Sequence, residues 1–457
     1  MPQNKLSPAA YFPLPLRKLR DRGDTMDSLW TKTVTMPHFP ALARDCSTDV
    51  LIIGGGMAGL LCAHSLHAAG VDCILVEAKR ICSGVTGGTT AKITAQHGLI
   101  YDKLARRFGV NTAGAYLRAN LTAVERYRDL CRDMDCDFAE RDSYVYSLDG
   151  REKIDREIET LRTLAFPAEF SRAETLPFSV CGAVRFPRQA QFHPLKFAAA
   201  IARDLPIFEN TKVLAYTPEK IVTSHAVIRA KKIIVTTHFP IFNKHGLYFI
   251  KQYQSRSYVL ALRGAADVAG MYLDESGKGL SLRNHGDLLL VGCGSHRTGK
   301  RGSAWRVGED FARRCYPGAE IVGRWAAQDC MSLDGMPYIG PYSPATPNLF
   351  VATGFNKWGM STSMLAAMIL TDLVLERKSP YAGLFDPARS ILHPQLALNA
   401  LESAISLLTP TRPRCPHMGC ALRYNAAERS WDCPCHGSRF DENGKLLDGP
   451  ATDDKDM

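Results

Sequence analysis

Residues 48–78 read TDVLIIGGGMAGLLCAHSLHAAGVDCILVEA, and the order of features within them decides the fold. Asp49–Ile53 predict a short apolar strand. Gly54, Gly56 and Gly59 then match G-x-G-x-x-G, Leu60, Leu61, Ala63, Leu66 and Ala69 follow with helical spacing, and Gly70 closes that helix before CILVE starts a second strand. Each glycine answers a separate need: a tight turn, close approach of backbone to a pyrophosphate, and close helix–strand packing. The helix N-terminus then faces the phosphate charge. Glu77 ends the second strand, where a carboxylate can hold the adenosine ribose hydroxyls.

The chain carries one such unit. In LLLVGCGSHR, Gly292 and Gly294 are followed by Arg297 where a third glycine would stand, which argues against a separate nicotinamide domain. After Glu77, RICSGVTGGTTAKIT offers backbone donors and the hydroxyls of Thr89 and Thr90, long enough to run beneath an extended dinucleotide. This favours FAD; a flexible loop is the plain alternative. Farther on, NLFVATGFNKWGMSTSMLAAMILTDLV predicts a strand over Leu349–Ala352, a glycine turn and a helix from about Met360. Free amides after Gly359 would suit negative charge on a reduced flavin, and Gly354 favours that reading over a plain crossover helix.

At 457 residues, with 46% hydrophobic and 22% charged residues, the chain has room for two or three domains around a sizeable core. Glycines cut its apolar runs well short of a membrane span. The net charge of +10 is spread without an aromatic-studded basic stripe, so nucleic acid is not an expected partner. Of fourteen cysteines, ten are scattered between Cys46 and Cys330 and four are grouped near the end. That pattern suggests a reducing, cytoplasmic setting with one specialised cluster rather than a disulfide scaffold. Residues 1–27 read as a disordered tail, and Met26 is a plausible alternative start.

Together DVLIIGGGMAG, GTTAKITAQHGLIY, QFHPLKF, YQSRSYVLAL, AQDCMSLDGMPYIG and ATGFNKWGMS, with the cysteine-rich end, resemble the FAD-dependent oxidoreductases of the D-amino-acid oxidase and glycine oxidase superfamily. Within it the chain resembles a bacterial branch with a C-terminal Rieske module. The resemblance implies an α/β (α+β) fold: a Rossmann-like FAD-binding domain interleaved with a mixed-sheet substrate domain, plus a small truncated iron–sulfur module. It implies a flavoprotein over 28–385, with FAD segments near 46–98, 190–245 and 322–378 and a substrate domain near 99–189 and 246–321. A helix and linker at 386–411 would lead to the module at 412–457. It also places Val213 near the adenine, and Gly354, Gly359 and Met360 near the flavin ring.

In the tail, Cys415, His417, Cys433 and His436 fit C-x-H-x15-C-x-x-H, one thiolate and one imidazole per loop, as a Rieske [2Fe–2S] cluster requires. The same four residues would also suit zinc, and structural disulfides or a module that has lost its cluster are further readings. The resemblance implies a disulfide between Cys420 and Cys435. Ser438 is a candidate donor to a bridging sulfur. Phe440 stands where high-potential relatives carry tyrosine, so a less oxidising cluster is expected. HPQLALNALESAISLLTPTRPR replaces the strands that usually precede the first loop, so the module should lean on the flavoprotein body.

Flavin oxidation of an amine, amino acid or related small molecule needs an anchor that places the C–H over the flavin. Arg256, Arg297, His193 and Lys357 are the candidates, each with a structural role as its alternative. Arg256 alternates with Gln254 and Tyr258 on one strand face. The function expected is two-electron flavin chemistry coupled to one-electron transfer through the cluster, with a carrier protein as possible partner. A redox protein without turnover, and a plain oxidase with a zinc-binding or idle tail, are the alternatives.

Overall fold

The computed structural model describes residues 27–277, 279–410 and 413–455. Residues 1–26, and with them most of the expected tail and the alternative start at Met26, lie outside the described residues.

The opening stretch forms the middle of a sheet whose strand order is Tyr338–Pro341, Leu349–Thr353, Val227–Val235, Cys46–Ile53, Cys73–Val76 and Ile207–Phe208. The last five run parallel. Both faces of Cys46–Ile53 are covered, which is why its sequence is apolar without alternation. Val50 and Ile52 enter one hydrophobic cluster, and Leu51 and Ile53 enter another on the opposite face. Helix Met57–Ala68 packs against helix Gly359–Val374, the latter starting where the sequence pattern expects it.

A nine-stranded mixed sheet stands beside the first. Its order is Glu320–Ser332, Gln252–Arg263, Leu288–Arg297, Ser281–His285, Met271–Asp274, Ala139–Ser147, Gly182–Gln191 and Lys92–Ile93, with Glu169–Ser171 on Gly182–Gln191. Two boundaries expected from sequence therefore move. Glu320–Ser332 pairs along its length with Gln252–Arg263, and Lys92–Ile93 pairs with Gly182–Gln191, so both belong to this sheet rather than to the FAD segments. Ladder pairing, invisible in local sequence, decides membership.

Helix Pro394–Leu408 leads to a four-stranded antiparallel sheet of Arg423–Asn425, Ser430–Asp432, Arg439–Asp441 and Leu446–Asp448. Its core is small: Cys415, Cys420, Leu422, Cys433, Cys435, Phe440 and Ala451. As expected for so small a core, the module rests on the body. Arg256, from the nine-stranded sheet, forms a bidentate pair with Glu428, and Arg439 donates to Glu428 at 2.8 Å and Asp432 at 3.0 Å. The side chains of Arg256, Arg439 and Glu428 are at most 6% exposed. Among the described residues no helix is long and apolar enough to cross a membrane.

Candidate functional site

A cavity of about 1400 Å³ opens at the C-terminal ends of the parallel strands, where ligands bind in open α/β sheets. Gly354 follows one strand, Gly54 the central strand, and Thr211–Val213 the edge strand Ile207–Phe208. Four inter-strand spacings separate Leu349–Thr353 from Ile207–Phe208, roughly 19 Å. Of the sequence-derived cofactor residues, Gly54, Gly56, Glu77, Thr89, Thr90, Val213, Gly354, Gly359 and Met360 line this cavity.

Gly59 works behind the wall. A Cβ there would stand 1.9 Å from the Gly54 carbonyl oxygen, so only glycine lets the helix meet the turn. Gly54 itself has φ +109° and lies against the Thr236 backbone. The Glu77 carboxylate accepts from Gly55 N at 2.7 Å and from Lys79 N at 2.8 Å, which fixes it at the cavity edge. Thr86 Oγ1 accepts from Met57 N at 3.1 Å, closing the turn. At the other end Trp358, Gly359, Met360 and Ser363 present the first turn of helix Gly359–Val374 to the cavity. A dinucleotide fits these residues: a glycine cradle and helix N-terminus for its phosphates, and a second helix N-terminus for its ring.

The four catalytic candidates separate in the structure. Arg256 is committed to Glu428 and Arg297 to the second cluster loop, donating to Pro434 O at 2.9 Å and Cys435 O at 3.0 Å. Neither guanidinium is free to anchor a substrate. His193 caps helix Pro194–Ala202, accepting from Lys196 N at 3.2 Å, with Nε2 2.9 Å from Thr33 Oγ1, and it does not line the cavity. Burial, then the neighbouring His285, lowers its pKa to about 4. Only Lys357 opens into the cavity apart from Arg256, its ammonium donating to Ser257 Oγ at 3.0 Å and to Ser295. Enough protein surrounds it that desolvation lowers its pKa, against the opposing charge of Asp329. Lys92, missed by sequence reasoning although it lies in GTTAKIT, also lines the cavity. It donates to Tyr272 O at 2.7 Å and Ser281 Oγ at 2.6 Å, and burial followed by Arg283 lowers its pKa to about 7.

The second centre is built by two loops. Cys415 N donates to Cys420 O at 2.8 Å and Gly419 N to Cys415 O at 2.8 Å in the first; Cys433 N donates to Ser438 O at 2.8 Å and Gly437 N to Cys433 O at 3.0 Å in the second. The rings of His417 and His436 stand perpendicular with centroids 4.9 Å apart. Each buries an Nδ1 atom that has no hydrogen-bond partner. His417 Nε2 lies 2.8 Å from Asn243 Oδ1, a contact that requires the proton on Nε2 and leaves the Nδ1 lone pair for a metal. Burial lowers both imidazole pKa values to about 4, the neutral state that ligation needs. The thiol of Cys433 interacts with that of Cys415, and the Sγ atoms of Cys420, Cys433 and Cys435 lie within 4.8 Å of one another. Two orphaned imidazole nitrogens beside a knot of buried thiols fit the N/S donor set of a Rieske cluster. Cys420 and Cys435 are side by side as free thiols. Asn243 and Glu428, which hold the module to the body, carry no signal in the linear sequence.

The fold and the two centres define a flavin-dependent oxidoreductase with an iron–sulfur module. The chain belongs to the FAD dependent oxidoreductase family, whose model matches residues 49–373, and residues 407–455 match the Rieske [2Fe-2S] domain. FAD and a Rieske-type cluster are its cofactors. The Bacillus subtilis (strain 168) protein YhfW, whose name describes a Rieske 2Fe-2S iron-sulfur protein, is 33% identical over 93% of this chain and 96% of its own. The cytochrome b6-f complex iron-sulfur subunit of Nostoc punctiforme is 54% identical over 37 residues, covering 8% of this chain and 21% of that one. Among solved structures, glycine oxidase from Geobacillus kaustophilus superposes with TM-score 0.64 at 18% identity, over 76% of this chain and 99% of that one. L-proline dehydrogenase from P. horikoshii gives 0.64 at 18% identity, over 77% and 98%. These structures share the fold.

Proposed function

We propose that this chain couples two-electron oxidation or reduction of an amine, amino acid or related small molecule to one-electron transfer through its own cluster. FAD supplies hydride-equivalent chemistry and a [2Fe–2S] cluster single-electron chemistry. The observation that carries the reading is Gln328: it lines the cavity, and its Nε2 donates to Gly437 O, in the second cluster loop, at 2.9 Å. One side chain thus joins the two centres. In this reading 28–385 form the flavoprotein, 386–411 the connection and 412–457 the module. Gly54, Gly56, Gly59, Glu77, Thr89, Thr90, Val213, Gly354, Gly359 and Met360 hold FAD. Cys415, His417, Cys433 and His436 ligate iron, Cys420 and Cys435 can close a disulfide, and Lys357 faces the reacting centre.

Proteins of the same fold named for glycine, L-proline and L-amino acids support the substrate class. A one-electron carrier protein is the proposed partner, and the scattered placement of ten of the fourteen cysteines supports a cytoplasmic setting. The test is anaerobic purification followed by visible and electron paramagnetic resonance spectra before and after adding candidate amines and amino acids. Reduction of both centres by one substrate is the expected result. Zinc in the tail would reduce the protein to a plain oxidase, and centres that respond only to a carrier protein would make it an electron-transfer protein.

A further inference from the structure

The family match for the flavin domain ends at residue 373, yet the cavity it encloses does not close with those residues. Its wall continues through Lys445–Thr452 and Asp454, the last strand of the iron–sulfur module and the turn after it. This segment is fastened to the body at two points. Asp448 Oδ2 accepts from Gln328 Nε2 at 3.1 Å, on the nine-stranded sheet. Lys212, next to Val213 at the far edge, donates to Thr452 O and pairs with Asp453 at 3.6 Å. The two fastenings, at Asp448 and Thr452, are four residues apart, so at most about 14 Å of extended chain lies between them.

We propose that the C-terminal segment 445–454 is a wall of the FAD site, so that the iron–sulfur module encloses the flavin cofactor of the first domain. The inference rests on FAD occupying this cavity. It gives the segment a role outside cluster ligation: FAD is exchanged only when segment 445–454 lifts from the body, and bound FAD in turn holds that segment down. The Arg256–Glu428 pair and the Arg297 contacts to Pro434 and Cys435 fix the rest of the module, so the motion needed is concentrated at the Lys212 and Gln328 fastenings.

The test is hydrogen exchange on the full-length protein, with FAD removed and then restored while the visible spectrum monitors the cluster. FAD is expected to slow exchange both in the glycine loop around Gly54–Gly59 and in 445–454. Protection of the loop with no change in 445–454 would overturn the enclosure. No change in either would overturn the placement of FAD itself. A second measurement uses Asp453→Lys, which replaces an ion pair by a like charge beside Lys212 at a residue of the segment that does not itself line the cavity. FAD release on dilution should be faster by up to about five-fold, the scale of an exposed pair, with the cluster spectrum unchanged; an unaltered release rate would count against the enclosure.

Discussion

Asn243 Oδ1 accepts the Nε2 proton of His417 at 2.8 Å, so a residue of the flavoprotein body orients an imidazole of the first cluster loop. Asn243 is only 4% exposed, so water does not replace it readily. An acceptor on the far nitrogen makes the ligating nitrogen a better donor and favours the oxidised metal. Asn243→Ala should therefore raise the cluster midpoint potential and Asn243→Asp should lower it, read by redox titration of the resonance signal. Equal potentials in all three proteins would show that the contact only positions the loop.

Glu428 is held between two guanidinium groups. Burial pushes its pKa up, but the charges of Arg439 and Arg256 outweigh burial and hold it at about 2. A carboxyl depressed in the folded state contributes its full stability above its unfolded value, near 4.5, and loses it as pH falls toward 2. The module should thus loosen between those values, followed by Trp431 fluorescence. Glu428→Gln leaves the buried Arg256 without its counter-charge, while Arg439 keeps Asp432, and should destabilise the module by about 3–5 kcal/mol in urea titrations.

Gly59→Ala should abolish flavin binding. The added carbon would stand 1.9 Å from Gly54 O, and relief requires the helix to leave the turn that faces the phosphates. Loss of flavin absorbance with the cluster signal retained is the expected result. A flavin-replete variant would show that the turn tolerates displacement.

Phe440 is fully buried in the module core beside the ligand loops. Phe440→Tyr brings a hydroxyl toward the cluster and should raise its potential, since hydrogen bonds to cluster sulfur stabilise the reduced state. Ser438 is likewise fully buried, and its Oγ accepts from Ala451 N at 3.0 Å while interacting with the Cys415 thiol. Ser438→Ala should lower the potential. Redox titration of both variants checks the pair of opposite signs.

The glycine turn, the helix from Gly359 and the two cluster loops were legible because each depends on neighbours a few residues away. The catalytic candidates were less so. Arg256, Gln254 and Tyr258 do share a strand face, as alternation requires, but that face meets the module: Asn425 Nδ2 approaches Tyr258 Oη at 3.3 Å, and a Cβ on Gly437 would collide with Gln254. Arg256 is separated from Glu428 by 172 residues and Arg297 from Pro434 by 137, so no local pattern marks either partner. The pairing of Glu320–Ser332 with Gln252–Arg263 carries no local pattern either.

The glycine turn and the paired cysteine–histidine loops can be read in the linear sequence, because φ freedom, close backbone approach and ligand spacing are properties of short segments. Which charged side chains remain free, which residues lie between the two centres and what walls the cavity depend on long-range packing. A buried guanidinium or imidazole takes whichever partner the folded chain brings within about 3 Å, and that partner is set by the packing of the whole molecule.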